Sequence, residues 1–145
     1  MPRKRKRRPR VDDTMRRNVV ITQVAPSIRF AVNEPKSPDP DIEARQWLEL
    51  RGRATEPLRD VRDVVFHLWP DRDFRIGPAR PVAVAHITRV RPNIEVIASC
   101  RPSDFEWLWS MALTGHLCHG YISFAKPHYG SSKVFSMSFS RDAEE

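Results

Sequence analysis

The sequence predicts a mainly β domain, either an antiparallel β-sandwich or a curled sheet of seven to eight short strands with one helix at about residues 103–114. Three observations lead to this prediction. Several segments alternate apolar and polar residues with a period of two, which is typical of half-buried strands. Prolines and glycines separate these segments at short intervals, as turns do. Only one segment has the apolar spacing and end signals of a helix. The alternative is an α+β fold with the helix on one face of a sheet.

Two strand segments come first. Residues 18–34 are rich in β-branched side chains, and we expect one or two short strands broken at Pro26. Three prolines follow, so residues 35–41 are expected to form a stiff, solvated loop. Residues 42–54 alternate clearly. One predicted face carries Ala44, Leu48, Leu50, Gly52 and Ala54, and the other carries Arg45, Trp47, Glu49, Arg51 and Arg53.

Three further strands are predicted before the helix. Residues 61–69 alternate, and the residues of their first face are Val64, Phe66 and Leu68. Residues 82–90 and 94–100 are joined by a three-residue turn, which predicts an antiparallel hairpin. The intervening residues 70–81 are punctuated by proline and glycine and are expected to be a surface loop. Residues 116–125 and 133–140 are the last predicted strands.

The helix has signals at both ends. Ser103 and Glu106 have the spacing of a capping box, and Gly115 fits a left-handed stop after the last turn. The predicted buried stripe consists of Phe105, Leu108, Trp109 and Ala112. Trp107 and Met111 lie off this stripe and are a candidate partner surface, through which the chain would form a homo-oligomer. The alternative is that the rest of the domain covers both residues.

The excess positive charge lies in the N-terminal segment. The chain has a net charge of +7, yet residues 18–145 contain sixteen basic and sixteen acidic residues. Residues 1–17 contain nine basic and two acidic residues and few apolar ones. We therefore expect a disordered basic arm over residues 1–17, followed by a single domain over residues 18–145.

The arm carries the strongest functional hypothesis. Clustered arginine and lysine neutralise phosphates, so the arm is a candidate site for non-specific binding of nucleic acid or an acidic protein. The candidate residues are Arg3, Lys4, Arg5, Lys6, Arg7, Arg8 and Arg10. A nuclear-localisation signal and a solubilising tail are the alternatives. No aromatic residue interleaves with these basic residues, so the sequence does not indicate a stacking platform for single strands. A second candidate surface is the arginine-lined strand face at Arg45, Arg51 and Arg53.

A cluster of histidine and cysteine at residues 116–119 is the remaining chemical signal. His116 and Cys118 would share one strand face, with His86 or His128 approaching from elsewhere. A structural zinc site needs four converging ligands, and only this one pair is visible, so we expect a buried strand and no metal. A cysteine nucleophile beside histidine, or a metal site, is the alternative function.

Several classes of protein are disfavoured. The sequence contains no glycine-rich phosphate loop and no nucleophile elbow, so a binding or interaction module is favoured over an enzyme, and no cofactor is expected. Two cysteines do not indicate a disulfide framework. No apolar run approaches the roughly 18 residues of a membrane helix. We expect no membrane association and a cytoplasmic location, or a nuclear one if the source is eukaryotic or viral.

Overall fold

The computed structural model of the chain describes residues 14–71 and 83–142. Within these residues it contains seven strands and one helix, which confirms the mainly β prediction. The elements are β1 (Thr14–Asn33), β2 (Asp41–Leu58), β3 (Val61–Pro70), β4 (Ala85–Arg89), β5 (Ile94–Cys100), α1 (Pro102–Leu113), β6 (His119–Ala125) and β7 (Ser132–Ser140). The predicted loop over residues 70–81 lies mostly outside the described residues.

The strands close into a barrel, which corrects the predicted sandwich. Their order around the barrel is β1-β2-β3-β5-β4-β7-β6, and β6 pairs with the first part of β1 to complete the wall. β3 and β5 are parallel, and the other neighbouring pairs are antiparallel. A period of two separates the inside of a sheet from its outside, but it does not specify whether the sheet's last strand returns to its first.

The barrel interior is the hydrophobic core, and the predicted faces are mostly confirmed. The inward residues of β2 and β3 are fully buried and include Leu48, Leu50, Phe66 and Leu68. Ile94, Val96 and Ile122 on β5 and β6 are also buried. Ala44 belongs to the same alternating face of β2 but is exposed, because β2 extends beyond the barrel at this point.

β1 is one continuous strand of 20 residues, so the prediction that Pro26 breaks it is wrong. Ile21 N–H still donates to the Cys118 carbonyl at 2.9 Å, and beyond Ile21 this strand pairs with β2 alone among the described residues. Its second edge is therefore free, and a proline that cannot donate a hydrogen bond is tolerated on such an edge. The register between β1 and β2 shifts between Ile21 and Gln23, which places a bulge at Thr22.

The boundary of the predicted arm also needs correction. Thr14 to Arg17 belong to β1 and pair with Ala125 to Ile122 of β6, so these four residues are part of the barrel wall. Residues 1–13 lie outside the described residues. The proline-rich residues 35–41 lie in and just after the turn between β1 and β2, where Ser37 N–H donates to the Glu34 carbonyl.

Helix α1 begins two residues earlier than the capping-box prediction requires. Arg101 is the N-cap, Pro102 occupies the first turn, and no side chain caps the N-terminus, so the predicted Ser103–Glu106 box is wrong. The predicted stop is confirmed: Gly115 has a φ of 73°. The Gly115 and His116 amides donate to the Ala112 and Met111 carbonyls, which is the Schellman pattern.

The barrel has two chemically different ends. β1 starts at one end, and the turns β2–β3, β4–β5 and β6–β7 lie at the same end. We call this end the turn end. At the opposite end, the helix end, α1 connects β5 to β6, and β1 and β2 project as a two-stranded ribbon, residues 23–48.

Candidate functional site

The turn end is strongly basic. We define the basic pole as the described residues 14–17, 56–62, 88–94 and 125–133, which form the start of β1 and the three turns. It contains eight basic residues and only two acidic ones, Glu56 and Asp60. The basic residues are Arg16, Arg17, Arg59, Arg62, Arg89, Arg91, Lys126 and Lys133. Residues scattered over 120 positions of the sequence therefore meet at one end of the barrel.

Within residues 14–71 and 83–142, no neighbouring carboxylate neutralises the charges of the basic pole. None of its eight basic residues forms an ion pair with an acidic side chain of the described residues. Several instead bond to backbone carbonyls, which leaves the formal charge uncompensated. Arg59 Nη2 donates to the Pro127 carbonyl at 2.8 Å, and Arg91 Nη2 donates to the Arg59 carbonyl at 2.6 Å. These two bonds tie the three turns together.

The arginine-lined strand face is different. Arg45 lies 3.2 Å from Glu43, and Arg51 lies 3.3 Å from Glu49. Arg53 lies 3.7 Å from Asp63. Each arginine of this face therefore has a carboxylate partner, and exposed pairs of this kind leave little net field. The basic pole is the stronger of the two candidate sites for an anion.

The basic pole contains an exposed tyrosine. A shallow depression of about 270 Å³ is lined by Arg59, Arg89, Arg91 and Tyr129, together with neighbouring backbone. Tyr129 is 95 % exposed and lies in the β6–β7 turn. Its ring lies 4.5 Å from that of His128 in an edge-on arrangement. This grouping cannot be predicted from the sequence, because Tyr129 is separated from each of these arginines by more than 35 positions.

The basic segment that precedes β1 enters the barrel at the same pole. Only four peptide steps separate Arg10 from Thr14. A fully extended chain spans at most about 3.6 Å per residue, so the Cα atom of Arg10 lies within about 14 Å of that of Thr14. The candidate residues Arg3 to Arg10 lie outside the described residues, but the segment that contains them is joined to the barrel at the basic pole.

A second concave surface lies at the helix end. A groove of about 870 Å³ lies beside α1 and is lined by residues of β5, β7 and the start of β4. Apolar side chains, including Trp69, Trp107 and Phe139, form most of its lining, and His86 and Cys100 also contribute. Its size is within the range of small-molecule pockets.

The groove does not activate its cysteine. Burial, with a smaller contribution from the Asp104 carboxylate, raises the pKa of the Cys100 thiol from 9.0 to about 11. An activated cysteine nucleophile needs the opposite shift. Cys100 is therefore a protonated, apolar thiol at neutral pH.

The histidines and Cys118 are not brought together. His116 follows α1 at the helix end, whereas His128 lies in the β6–β7 turn at the turn end, and His86 lies on β4. Cys118 precedes β6 rather than lying within it, and its thiol is 3.5 Å from the Gly115 carbonyl. In the described part of the chain, no three histidine, cysteine or acidic side chains are close enough to hold a metal ion.

The two residues of the predicted helix surface have different environments. Trp107 is 64 % exposed, while Met111 is partly buried and packs against the core together with Leu108 and Trp109. The predicted stripe is confirmed, since Phe105 is buried and its three companions contact the core.

Comparison with protein-family models, with curated proteins and with solved structures found no match for the chain. Among the described residues, no helix has the length and apolar character needed to cross a membrane.

Proposed function

We propose that the protein is a binding module that holds nucleic acid through its N-terminal basic segment and the basic pole of the barrel. The observation that supports this proposal most is the one-sided placement of charge. Residues 1–13 contain seven basic and two acidic residues, and the basic pole contains eight and two. The other residues of the chain contain ten basic and fourteen acidic residues. The excess charge is thus concentrated where the segment joins the barrel.

Nucleic acid fits this arrangement better than an acidic protein. A phosphate backbone offers regularly spaced negative charges over a long distance, and arginine binds phosphate in a planar, two-pronged geometry. Arginine accounts for six of the eight basic residues of the basic pole. Binding of this kind neutralises phosphates and releases counterions, and it requires no recognition of sequence.

Salt dependence is the direct test of the proposed function. Fluorescence anisotropy with labelled single-stranded and double-stranded oligonucleotides would be measured over a series of salt concentrations. Six to eight phosphate contacts predict a loss of affinity of about 10³-fold or more between 50 and 200 mM salt. Polyglutamate of equal charge serves as the competitor. Displacement by polyglutamate as effective as that by unlabelled oligonucleotide would identify an acidic protein as the better ligand and contradict the proposal.

Matched variants locate the site. Replacing the seven basic residues of Arg3 to Arg10 by alanine should abolish measurable binding at physiological salt. The pair Arg89→Ala and Lys126→Ala should weaken binding and reduce the salt slope, because two phosphate contacts are lost. The fold should be kept, because neither side chain is hydrogen-bonded to a described neighbour. The control pair is Arg45→Ala and Arg51→Ala, whose charges are already compensated. A larger loss in the control pair than in the pole pair would place the interface on the strand face instead.

A further inference from the structure

Tyr129 has a backbone conformation that is unfavourable for tyrosine, and nothing in the fold requires a tyrosine there. His128 and Ser131 exchange two backbone hydrogen bonds of 2.9 and 3.1 Å across a two-residue turn. The central residues Tyr129 and Gly130 have φ values of 52° and 77°, the pattern of a type I′ turn. Asparagine or glycine is preferred at the first of these positions, since left-handed φ is unfavourable for a bulky side chain.

Packing does not compensate for this conformation. The Tyr129 side chain is 95 % exposed, so its ring contributes almost no buried area to the core. The phenol does, however, share a depression with Arg59, Arg89 and Arg91. These arginines have no carboxylate partner in the part of the chain that the structure describes. A strained and exposed aromatic ring beside them is suited to contact with a ligand that combines a flat ring and phosphates.

We propose that Tyr129 stacks on an unpaired base while the arginines of the depression contact the adjoining phosphates, so that the basic pole prefers single-stranded over double-stranded nucleic acid. This inference rests on the proposed function. Bases within a duplex are already stacked on each other, whereas those of a single strand have free faces for an aromatic side chain. Stacking accepts every base, which agrees with binding that does not read sequence.

Tyr129→Asn is the informative variant, because asparagine suits the left-handed turn and the barrel should be at least as stable as before. Its affinity for a single-stranded oligonucleotide should fall about 5- to 150-fold, the change that corresponds to 1–3 kcal/mol per stacked base. Its affinity for a duplex should be unchanged. Tyr129→Phe keeps the ring and should bind the single strand as the parent does.

The outcomes separate this inference from the proposed function. If Tyr129→Asn binds the single strand normally while alanine substitution of Arg3 to Arg10 abolishes binding, the stacking inference is wrong and the phosphate contacts stand. A loss in Tyr129→Phe equal to that in Tyr129→Asn would also overturn stacking, because the hydroxyl would then carry the effect. Failure of the parent protein to bind any oligonucleotide would remove both.

The ribbon at the helix end carries a second, independent inference. Its inner face continues the core-facing side of the barrel strands, but no described element covers it. Ile28, Phe30, Val32 and Ile42 are between 47 % and 69 % exposed on this face, and Val32 pairs directly with Ile42. A two-stranded ribbon is marginally stable alone, and an apolar face of this kind marks an interaction surface.

The same end of the barrel also has a concave apolar surface. The groove beside α1 is lined by Trp69, Trp107, Leu108 and Phe139, and Trp107 is largely exposed. A nucleic acid is an unsuitable partner for the ribbon, since residues 23–48 contain three basic and four acidic side chains. Each chain therefore contains both a projecting apolar surface, the ribbon face, and an apolar groove.

We propose that two copies exchange their ribbons, each ribbon packing its apolar face against the groove of the other copy around a two-fold axis. Eleven extended residues span about 37 Å and two strands are about 10 Å wide, so one ribbon face covers about 370 Å². Two ribbon faces packed on each other would bury only about 740 Å², the size of a lattice contact. Reciprocal insertion into two grooves buries about 1,500 Å², the size of a standard interface.

Sedimentation and disulfide trapping test this exchange. The parent protein should be a dimer, and the triple variant Ile28→Ser, Phe30→Ser and Ile42→Ser a folded monomer. The control variant Arg29→Ser alters the opposite face of the same ribbon and should remain a dimer. In a Cys118→Ser background, oxidised Phe30→Cys should form a covalent dimer with Cys100 of the second copy, and adding Cys100→Ser should abolish it.

Three results would overturn the exchange. The first is that the parent protein is a monomer at all concentrations, and the second is that the triple serine variant remains a dimer. The third is that the covalent dimer of Phe30→Cys persists without Cys100, which would show that the ribbons contact each other rather than the grooves.

Discussion

Single residues determine how closely the strands approach, and Gly52 shows this most clearly. A Cβ atom at Gly52 would meet the carbonyl oxygen of Val20 and the side chain of Val19. The neighbouring bulge at Thr22 fixes the backbone of β1 at this point, so neither contact can relax easily. Gly52 is therefore required by close packing, although it lies in the interior of a strand where glycine is otherwise unfavourable.

Gly52→Ala should lower the free energy of unfolding by about 1–3 kcal/mol, the usual cost of overpacking. Gly120→Ala is the matched control: its Cβ would meet the Phe139 ring at 3.4 Å and the Phe66 ring at 3.6 Å, and side chains can shift where a backbone cannot. Urea unfolding curves of the two variants give the comparison. Equal midpoints would show that β1 moves to accommodate the methyl group.

Cys100 gives a pH dependence with a defined sign. The folded protein holds the thiol proton up to a pKa of about 11, whereas the unfolded chain releases it near 9. The contribution of Cys100 to the free energy of unfolding is therefore present below pH 9 and is lost as the pH rises toward 11. Alkylation of a Cys118→Ser variant should accelerate with a midpoint near pH 11. A midpoint near 9 would show that the groove does not bury the thiol.

At the scale of elements, the sequence predicts the type and approximate position of a helix or strand better than the residues at which it begins and ends. α1 was predicted from its stripe, and its glycine stop is present, because both signals are local. The prediction of a Ser103–Glu106 capping box is wrong because proline is tolerated in the first turn of a helix. The helix therefore begins at Pro102, and its N-cap, Arg101, has no capping side chain. The prediction that Pro26 interrupts the strand is wrong because proline is tolerated on a free strand edge. Whether an edge is free depends on which strands are neighbours, and this is not a local property of the sequence.

Substitutions in α1 should follow burial rather than side-chain size. Phe105 is the fully buried residue of the helix, and Trp109 packs against it with ring centroids 5.8 Å apart. Phe105→Ala should cost about 3–5 kcal/mol of unfolding free energy, and Trp109→Ala less. Trp107→Ala, as the exposed control, should change stability by less than about 0.5 kcal/mol in the monomer. A greater loss for Trp109→Ala than for Phe105→Ala would mean that the stripe is centred on Trp109.

At the scale of the whole molecule, closure of the barrel brings together residues whose proximity cannot be predicted from the sequence. The separate strands and the charged N-terminal segment were visible in the residue pattern. Their arrangement was not, because the pairing of β6 with β1 joins residues about 100 positions apart. This pairing and the antiparallel turns gather Arg59, Arg91 and Lys126 at one end. For the same reason, the closeness of histidine and cysteine in the sequence at residues 116–119 does not indicate a site, and His116, Cys118, His86 and His128 do not converge.

Closure also predicts where the chain can be shortened. Residues 1–13 contain little apolar surface to bury, so a chain that begins at Thr14 should keep the melting temperature of the whole protein. A chain that begins at Asn18 lacks four of the seven residue pairs that join β1 to β6, and Met15, which packs against the core, is lost with them. Its melting temperature should fall by about 5 °C or more, since each kcal/mol shifts a domain of this size by about 2–4 °C. Calorimetry on the two truncations decides the point. Equal melting temperatures would show that the barrel does not depend on the first turn-end pairs, and a loss in both would place structural contacts within residues 1–13.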